Sequence, residues 1–367
     1  MMAQAKQRLV FVLVLLFASV PAIALADRDS VIVDCARGRS IQDALGKKNP
    51  DRPLEVVIRG ACSGNVTVTR DDVTLLGEGG TVNGTISIAG ARRVLIRTLT
   101  VSSPDGPGIF GIGNAAFTVE DSVLERNGTD GVVASNGAHA TLKRNRIADN
   151  GRAGMPDTGR GIHATHAGSV DAEDNTIVDN RSDGVGLYND SYARLVRNTI
   201  ENNGRAAAGD AGVQLGRSRA RAGGNIIRNN SGAAAISIGN HSDYRTGTGL
   251  NAVNFPDNEF PFDIIEHRVG PGLIAIDLSN ASFGDFRQVD IVGGISVGPM
   301  SMLQVRGDNV APNQRCSTIS LPAGGVINVS GRNGFLRLVF TNVTPPAVNV
   351  FGPNGQFEGG TLCAVAP

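Results

Sequence analysis

The chain has 367 residues, 34 basic and 34 acidic side chains, a formal net charge of +0, 4% aromatics and no tryptophan. That balance leaves no electrostatic footprint for nucleic acid or an anionic membrane surface, so neither is expected as a partner. The 48 glycines, with a core supply of Val, Ile, Leu and Ala, suit many short strands joined by tight turns.

Residues 1–26 read as an export signal. Lys6 and Arg8 open it, residues 9–20 form an apolar run too short to span a bilayer comfortably, and Ala24-Leu25-Ala26 offers a small-x-small cleavage site. No cysteine follows that site, so the expectation is an exported protein, periplasmic or extracellular, with no membrane anchor in the mature chain. Cys35, Cys62, Cys316 and Cys363 lie two near each end. Export permits disulfides. Of the three connectivities, Cys35–Cys62 with Cys316–Cys363 would staple the two ends; the other two remain open. No Cys-x-x-Cys is present to suggest zinc.

Ser40 and Asp43 form an N-cap pair and Gly46 a stop, which predicts a short amphipathic helix closing the first coil. Strand-like runs follow at 54–58, 66–68, 73–76, 86–88 and 94–96. The dominant feature then begins. Asn-x-Ile-x-x-Asn occurs at Asn145-Arg146-Ile147-Ala148-Asp149-Asn150 and at 175–180, 198–203 and 225–230, with a weaker copy at 122–127. Successive copies start 23, 30, 23 and 27 residues apart, a period that indicates a solenoid. Gly108, Gly131, Gly161 and Gly184 each lie 14 residues before Ser122, Asn145, Asn175 and Asn198.

Period-two alternation after each glycine places Ile109, Val132, Ile162, Val185 and Val213 inward, and Phe110, Val133, His163, Gly186 and Gln214 outward. Second strands are expected near 117–119, 140–142, 170–172 and 193–195, and Leu124, Ile147, Ile177, Ile200 and Ile227 form a third core layer. Stacking turns the asparagines into side-chain columns at the corners. It also stacks charge, with Glu120, Lys143 and Glu173 in one register and Asp171 and Arg194 in another. Residues 27–250 are therefore one coil array. In 251–367, runs at 273–278, 289–291, 325–329, 335–340 and 347–350 suggest further coils grading into a β cap, with a separate β-sandwich as the alternative.

Residues 151–160 and 204–211 are insertions at one corner, which predicts a trough between two raised loops. It would hold Asp157, Arg160, His163, Thr165, Tyr188 and Gln214, with Asp210 on its rim and Tyr192 and His166 at the next corner. His241 and Asp243 could extend it. His163 or Tyr188 would serve as acid or base, and Arg160 would hold a uronate carboxylate. The plain alternative is ordinary solvated surface. His163 and His166 face opposite ways, so no metal site is expected there. No cofactor is expected. Asp171, Glu173 and Asp174 could take calcium, though Lys143 and Arg194 would neutralise them.

The Asn-x-Ile-x-x-Asn coils, with Ser40-Ile41-Gln42-Asp43-Ala44-Leu45 and Val73-Thr74-Leu75-Leu76-Gly77, resemble the secreted right-handed parallel β-helix repeat proteins of the pectate-lyase-like superfamily over residues 34–250. The resemblance implies an all-β, right-handed parallel β-helix with an N-terminal capping helix and a C-terminal β cap. It also implies a polysaccharide or cell-surface glycan partner. Members include lyases, glycosidases, alginate epimerases and proteins without known activity. The Asp-Pro-His-Asp motif of the epimerases and the Asn-Thr-Asp and Gly-His-Gly motifs of the polygalacturonases are absent. The expectation is thus polysaccharide binding along a solenoid flank, with lyase or epimerase action on a uronate-containing glycan as the alternative.

Overall fold

The computed structural model describes residues 28–246 apart from 48, 50, 153–157 and 206–208. Beyond these it describes 263–266, 274–287, 289–307, 318–320, 327–329, 335–340, 350–351 and 357–361. The asparagine and glycine columns of the sequence become the corners of a parallel solenoid. Each coil gives one strand to each of three sheets, of 13, 11 and 13 strands among the described residues. The 11-stranded sheet contains Ile109–Ile112, Val132–Ser135, Ile162–Thr165, Val185–Tyr188 and Ala211–Gly216. The sheet that follows it in each coil, here the first sheet, contains Ala116–Glu120, His139–Lys143, Ser169–Glu173, Tyr192–Val196 and Arg219–Gly223.

The expected register is the observed one. Ile147 pairs with Ile177 and Ile177 with Ile200, and all three are fully buried. Val132, Ile162, Val185 and Val213 align in the same way beneath the 11-stranded sheet. The fixed glycine has a steric cause: a Cβ at Gly131 would lie 2.5 Å from Ile147 Cγ2 and 2.8 Å from Asn150 Nδ2. Only glycine lets the corner close onto the pile.

Both asparagine columns form. The Nδ2 groups of Asn145, Asn175 and Asn198 each donate to the next Oδ1 at 3.0 Å. Asn150 donates to Asn180 at 2.7 Å and Asn180 to Asn203 at 2.9 Å. The same Oδ1 atoms accept backbone N–H groups, which satisfies donors that the corners would otherwise strand. A third column runs along another corner: the Ser191 backbone N–H donates to Ser218 Oγ, and the Ser218 N–H donates to Ser242 Oγ.

The charge columns also form, in modified detail. Asp171 meets Arg194 at 2.7 Å, but Glu120 is paired by Arg144 and Arg97 rather than by its register partner Lys143. Such surface pairs contribute at most about 1 kcal/mol each.

At the N-terminus, Ile41–Lys47 is helical, with Ser40 Oγ accepting the Asp43 N–H at 3.3 Å. Gly46 lies inside this helix rather than ending it. Ile41, Ala44 and Leu45 are buried against the first coils, and Cys35–Cys62 ties the same region. Cys316 and Cys363 lie outside the described residues. Parallel pairing continues past residue 250 to Phe335–Phe340, and the last pairings, of Phe357–Thr361 with Thr318–Ser320 and Val350–Phe351, are antiparallel.

Candidate functional site

Along the outward face of the 11-stranded sheet, one row reads Phe110, Val133, His163, Gly186, Gln214 and Ser237. It changes from apolar to polar where the corner insertions begin. A second column lies directly before the strands, at the residue preceding each registered glycine. There Asp130, Arg160 and Asp183 stack as acid, base and acid, linked by Gly131 N–H to the Arg160 carbonyl and Gly161 N–H to the Asp183 carbonyl.

Asp130 Oδ2 lies 2.9 Å from His163 Nδ1, and Asp130 Oδ1 accepts the backbone N–H groups of Gly159 at 3.0 Å and Arg160 at 2.8 Å. Burial works to raise this carboxyl, but the His163 bond and the nearby positive charge hold it below the usual carboxylate range. A carboxylate can only accept, so His163 Nδ1 carries the proton and Nε2 of the neutral ring is the basic atom. Nε2 has no hydrogen bond among the described residues, and the side chain is 20% exposed.

Arg160 Nε meets Asp183 Oδ2 at 3.2 Å, and its guanidinium lies over the Tyr188 ring, with Cζ 5.0 Å from the centroid. The Tyr188 hydroxyl donates to Asp183 Oδ2 at 2.8 Å, and Gln214 Oε1 lies 3.0 Å from the Tyr188 hydroxyl. Burial, followed by the Asp183 charge, pushes the phenol up. Asp183 is wholly buried. Burial moves its carboxyl up to about 6, while Arg160, the Ala211 N–H and Tyr188 pull it down. Burial alone would lower Arg160, but Tyr188 and the two carboxyls hold it above the ordinary arginine value, so it stays charged.

Two glycines make this layering possible. A Cβ at Gly186 would lie 2.7 Å from Arg160 Cδ and 2.8 Å from Tyr188 Cε2, and one at Gly216 would lie 3.1 Å from Tyr188 Cδ1. The ring lies across these bare backbones, edge-on to His163 at a centroid distance of 5.7 Å.

The structure thus brings Arg160, His163, Tyr188 and Gln214 together. It adds Asp130 and Asp183, which repeat register would have revealed one residue before each glycine. Thr165 lies further along the same outward strand, where its Oγ1 is 3.0 Å from His166 Nδ1. Asp210 is not on a rim: it is buried beneath the corner, where Oδ1 accepts the Ser182 hydroxyl at 2.9 Å. Asp157 lies outside the described residues. Tyr192 and His241 sit past the opposite end of the strands, where the chain turns into the first sheet, and line a separate cleft. Asp243 is in that sheet, paired with Arg245 at 2.8 Å. The residues expected to share one trough therefore lie in two separate places. A shallower cavity of about 430 Å³, lined by Asp105, Arg126, Asp149 and Arg152 among others, lies upstream on the His163 corner. Among the described residues no group of three or more His, Cys, Asp or Glu side chains is placed to hold a metal, and Asp171, Glu173 and Asp174 are all engaged by Arg194 or Arg197.

Residues 84–254 match the family described as the right-handed beta helix region. No curated protein matches the chain in sequence. Among solved structures, ORF18 of Geobacillus virus E2 is similar at 9% identity and a TM-score of 0.45, over 80% of this chain and 61% of that one. The A-module of the Azotobacter vinelandii mannuronan C-5 epimerase AlgE4 is similar at 14% identity and a TM-score of 0.38, over 85% of each chain. The Dettilon tailspike protein gp208 is similar at 12% identity and a TM-score of 0.36, over 80% of this chain and 63% of that one. The chain thus spans less than two thirds of the viral protein and of the tailspike. At these identities and scores the likeness carries nothing about function.

Proposed function

We propose that this parallel β-solenoid with an aliphatic interior works from its outside, binding a polysaccharide along the outward face of the 11-stranded sheet. Contact is centred on His163, Arg160, Tyr188 and Gln214. The observation that carries this reading is the bonded cluster itself. It spans three successive coils, and its His163 and Gln214 stand in the row that holds Phe110 and Val133 in the coils before it. Asp130 and Asp183 fix the outer side chains in place, so little ordering remains to be done on binding. A linear polymer lying along the axis would meet an equivalent position about every 4.8 Å. Export, with removal of residues 1–26 and function in the periplasm or outside the cell, belongs to the same proposal. The Cys35–Cys62 disulfide supports it. No helix among the described residues is long and apolar enough to cross a membrane.

One observation favours a catalytic version. With Nδ1 committed to Asp130, His163 Nε2 is an oriented base. On a uronate it would take the proton next to the carboxylate, with Arg160 balancing the charge that develops. In elimination the glycosidic oxygen would then leave, with Tyr188 the nearest acid. In epimerisation a proton would return to the opposite face of the same carbon. Calorimetric titration with alginate, pectate and glycosaminoglycan oligosaccharides, paired with ultraviolet detection of unsaturated ends, tests both versions. Binding that His163→Ala weakens is the expected result. Failure of every glycan to bind would remove the proposal, and binding without new ends or altered sugar configuration would leave only the non-catalytic version.

A further inference from the structure

The corner at which the 11-stranded sheet passes into the first sheet holds a cleft of about 620 Å³. It is lined by Asp190, Ser191, Tyr192, Arg217, Arg219 and His241. Tyr192 opens the strand Tyr192–Val196 and is 42% exposed. The whole sequence has three tyrosines and no tryptophan. Of the other two tyrosines, Tyr244 is fully buried and Tyr188 lies beneath Arg160. Among the side chains whose burial is described, Tyr192 is the one exposed tyrosine or phenylalanine ring. An aromatic face spent on solvent in so aromatic-poor a chain has no packing rationale.

Two arginines line the cleft beside that ring. Arg219 is the register partner of Tyr192 on the next coil, is exposed, and makes no ion pair among the described residues. Arg217 and Asp190 face each other at 3.8 Å, both largely exposed, a weak pairing that a ligand could displace. Asp190, Arg217 and His241 all sit at left-handed backbone positions, with φ of 65°, 53° and 63°. The serine column beneath them, from Ser191 through Ser218 to Ser242, holds this corner by hydrogen bonds of 3.2 and 3.1 Å. The cleft therefore offers a flat ring on a fixed floor, two guanidinium groups and an imidazole against one carboxylate.

We propose that this cleft is a second glycan site, distinct from the His163 face, that takes a sugar ring bearing a carboxylate or sulfate group. The apolar face of the ring stacks on Tyr192, and Arg219 and Arg217 take the acidic group as paired N–H donors. The proposal stands independently of the function assigned to His163, since no side chain is shared.

Calorimetric titrations of the folded protein with uronate oligosaccharides, sulfated oligosaccharides and neutral oligosaccharides of equal length test it. Each is run on wild type, Tyr192→Ala, Tyr192→Phe, Arg219→Gln and His163→Ala. These side chains are exposed or half-buried, and circular dichroism checks that each variant keeps its fold. The expected result is binding of at least one anionic series and weaker binding of the neutral one. Two sites are expected in the isotherm: Tyr192→Ala and Arg219→Gln should each weaken one of them tenfold or more and leave the other, His163→Ala should weaken only that other one, and Tyr192→Phe should retain both. Which anionic series binds tells carboxylate from sulfate. Absence of binding by both, or binding that survives Tyr192→Ala and Arg219→Gln unchanged, overturns the proposal. Loss in His163→Ala with retention in Tyr192→Ala would assign all binding to the other face and overturn it equally.

Discussion

Asp263 stands where the asparagine column calls for an amide. Its Oδ1 accepts the N–H and Nδ2 of Asn225 at 2.8 and 3.0 Å, as each asparagine does for the one before it. Its Oδ2 is buried without a hydrogen-bond partner. In the column each Nδ2 also donates to a carbonyl of the preceding coil, as Asn225 does to Leu195. For Asp263 the equivalent carbonyl is that of Ala222, the register partner of Leu195. Only a protonated carboxyl can donate there, and burial does raise its pKa from 3.8 to about 7. Tyr244, whose hydroxyl is also buried without a partner, is the other titratable group that feels this charge. Between about pH 4 and 7 the folded protein keeps a proton that the unfolded chain has released. Stability contributed by this group is fully present below that window and falls as pH rises through it. Asp263→Asn should remove that slope and stabilise the protein at pH 8 by up to about 4 kcal/mol; urea unfolding at several pH values reads it. The same logic of partners separates Asp130 from His163. Asp130→Ala strands two backbone N–H groups and the imidazole, and should cost about 3 kcal/mol in chemical denaturation. His163→Ala, at a part-exposed position, should cost less than about 1 kcal/mol while weakening glycan binding.

Among the elements, the corners hold the coils in register. Asn175 Oδ1 accepts two donors from Asn145, and its Nδ2 serves Leu142 O and Asn198 Oδ1. Asn175→Ala leaves a buried backbone N–H and a carbonyl unmatched and should cost about 3 kcal/mol or more, measured by thermal or urea unfolding. These columns were legible because Asn and Gly recur at nearly constant spacing and each has a geometric reason to do so. The serine column was not: Ser191, Ser218, Ser242, Ser282 and Ser301 are separated by 27, 24, 40 and 19 residues, with no period to detect. Several strands past residue 250 were not legible; in Phe283–Arg287 and Met302–Gly307, for example, glycine and charge dilute the alternation. There Phe286, stacked on Tyr244 at 5.4 Å and fully buried, continues a column that holds Leu142, Ala172, Leu195 and Ala222 in the regular coils. The site was half legible. Outward alternation found His163 and Gln214, but Asp130 and Asp183 follow no alternation of their own, and only their place before the registered glycines sets them beside Arg160.

For the whole molecule, a solenoid is strong along its length and vulnerable at its ends, where coils lack a neighbour. The N-terminal end is closed by the helix Ile41–Lys47 and by a disulfide spanning 27 residues. Replacing both cysteines by serine should cost about 3 kcal/mol by loop entropy. Hydrogen exchange should show that loss first in the coils nearest the N-terminus, with the middle coils protected as before. Such an axis offers a long, rigid outer face, and its chemistry concentrates where the 11-stranded sheet carries the His163 cluster. A crystal structure of the protein soaked with a uronate oligosaccharide tests this most directly. Sugar density lying across His163, Tyr188 and Gln214, parallel to the solenoid axis, is the predicted result. A sugar bound in the same crystals only on other faces, with the His163 row bare and accessible, would contradict it.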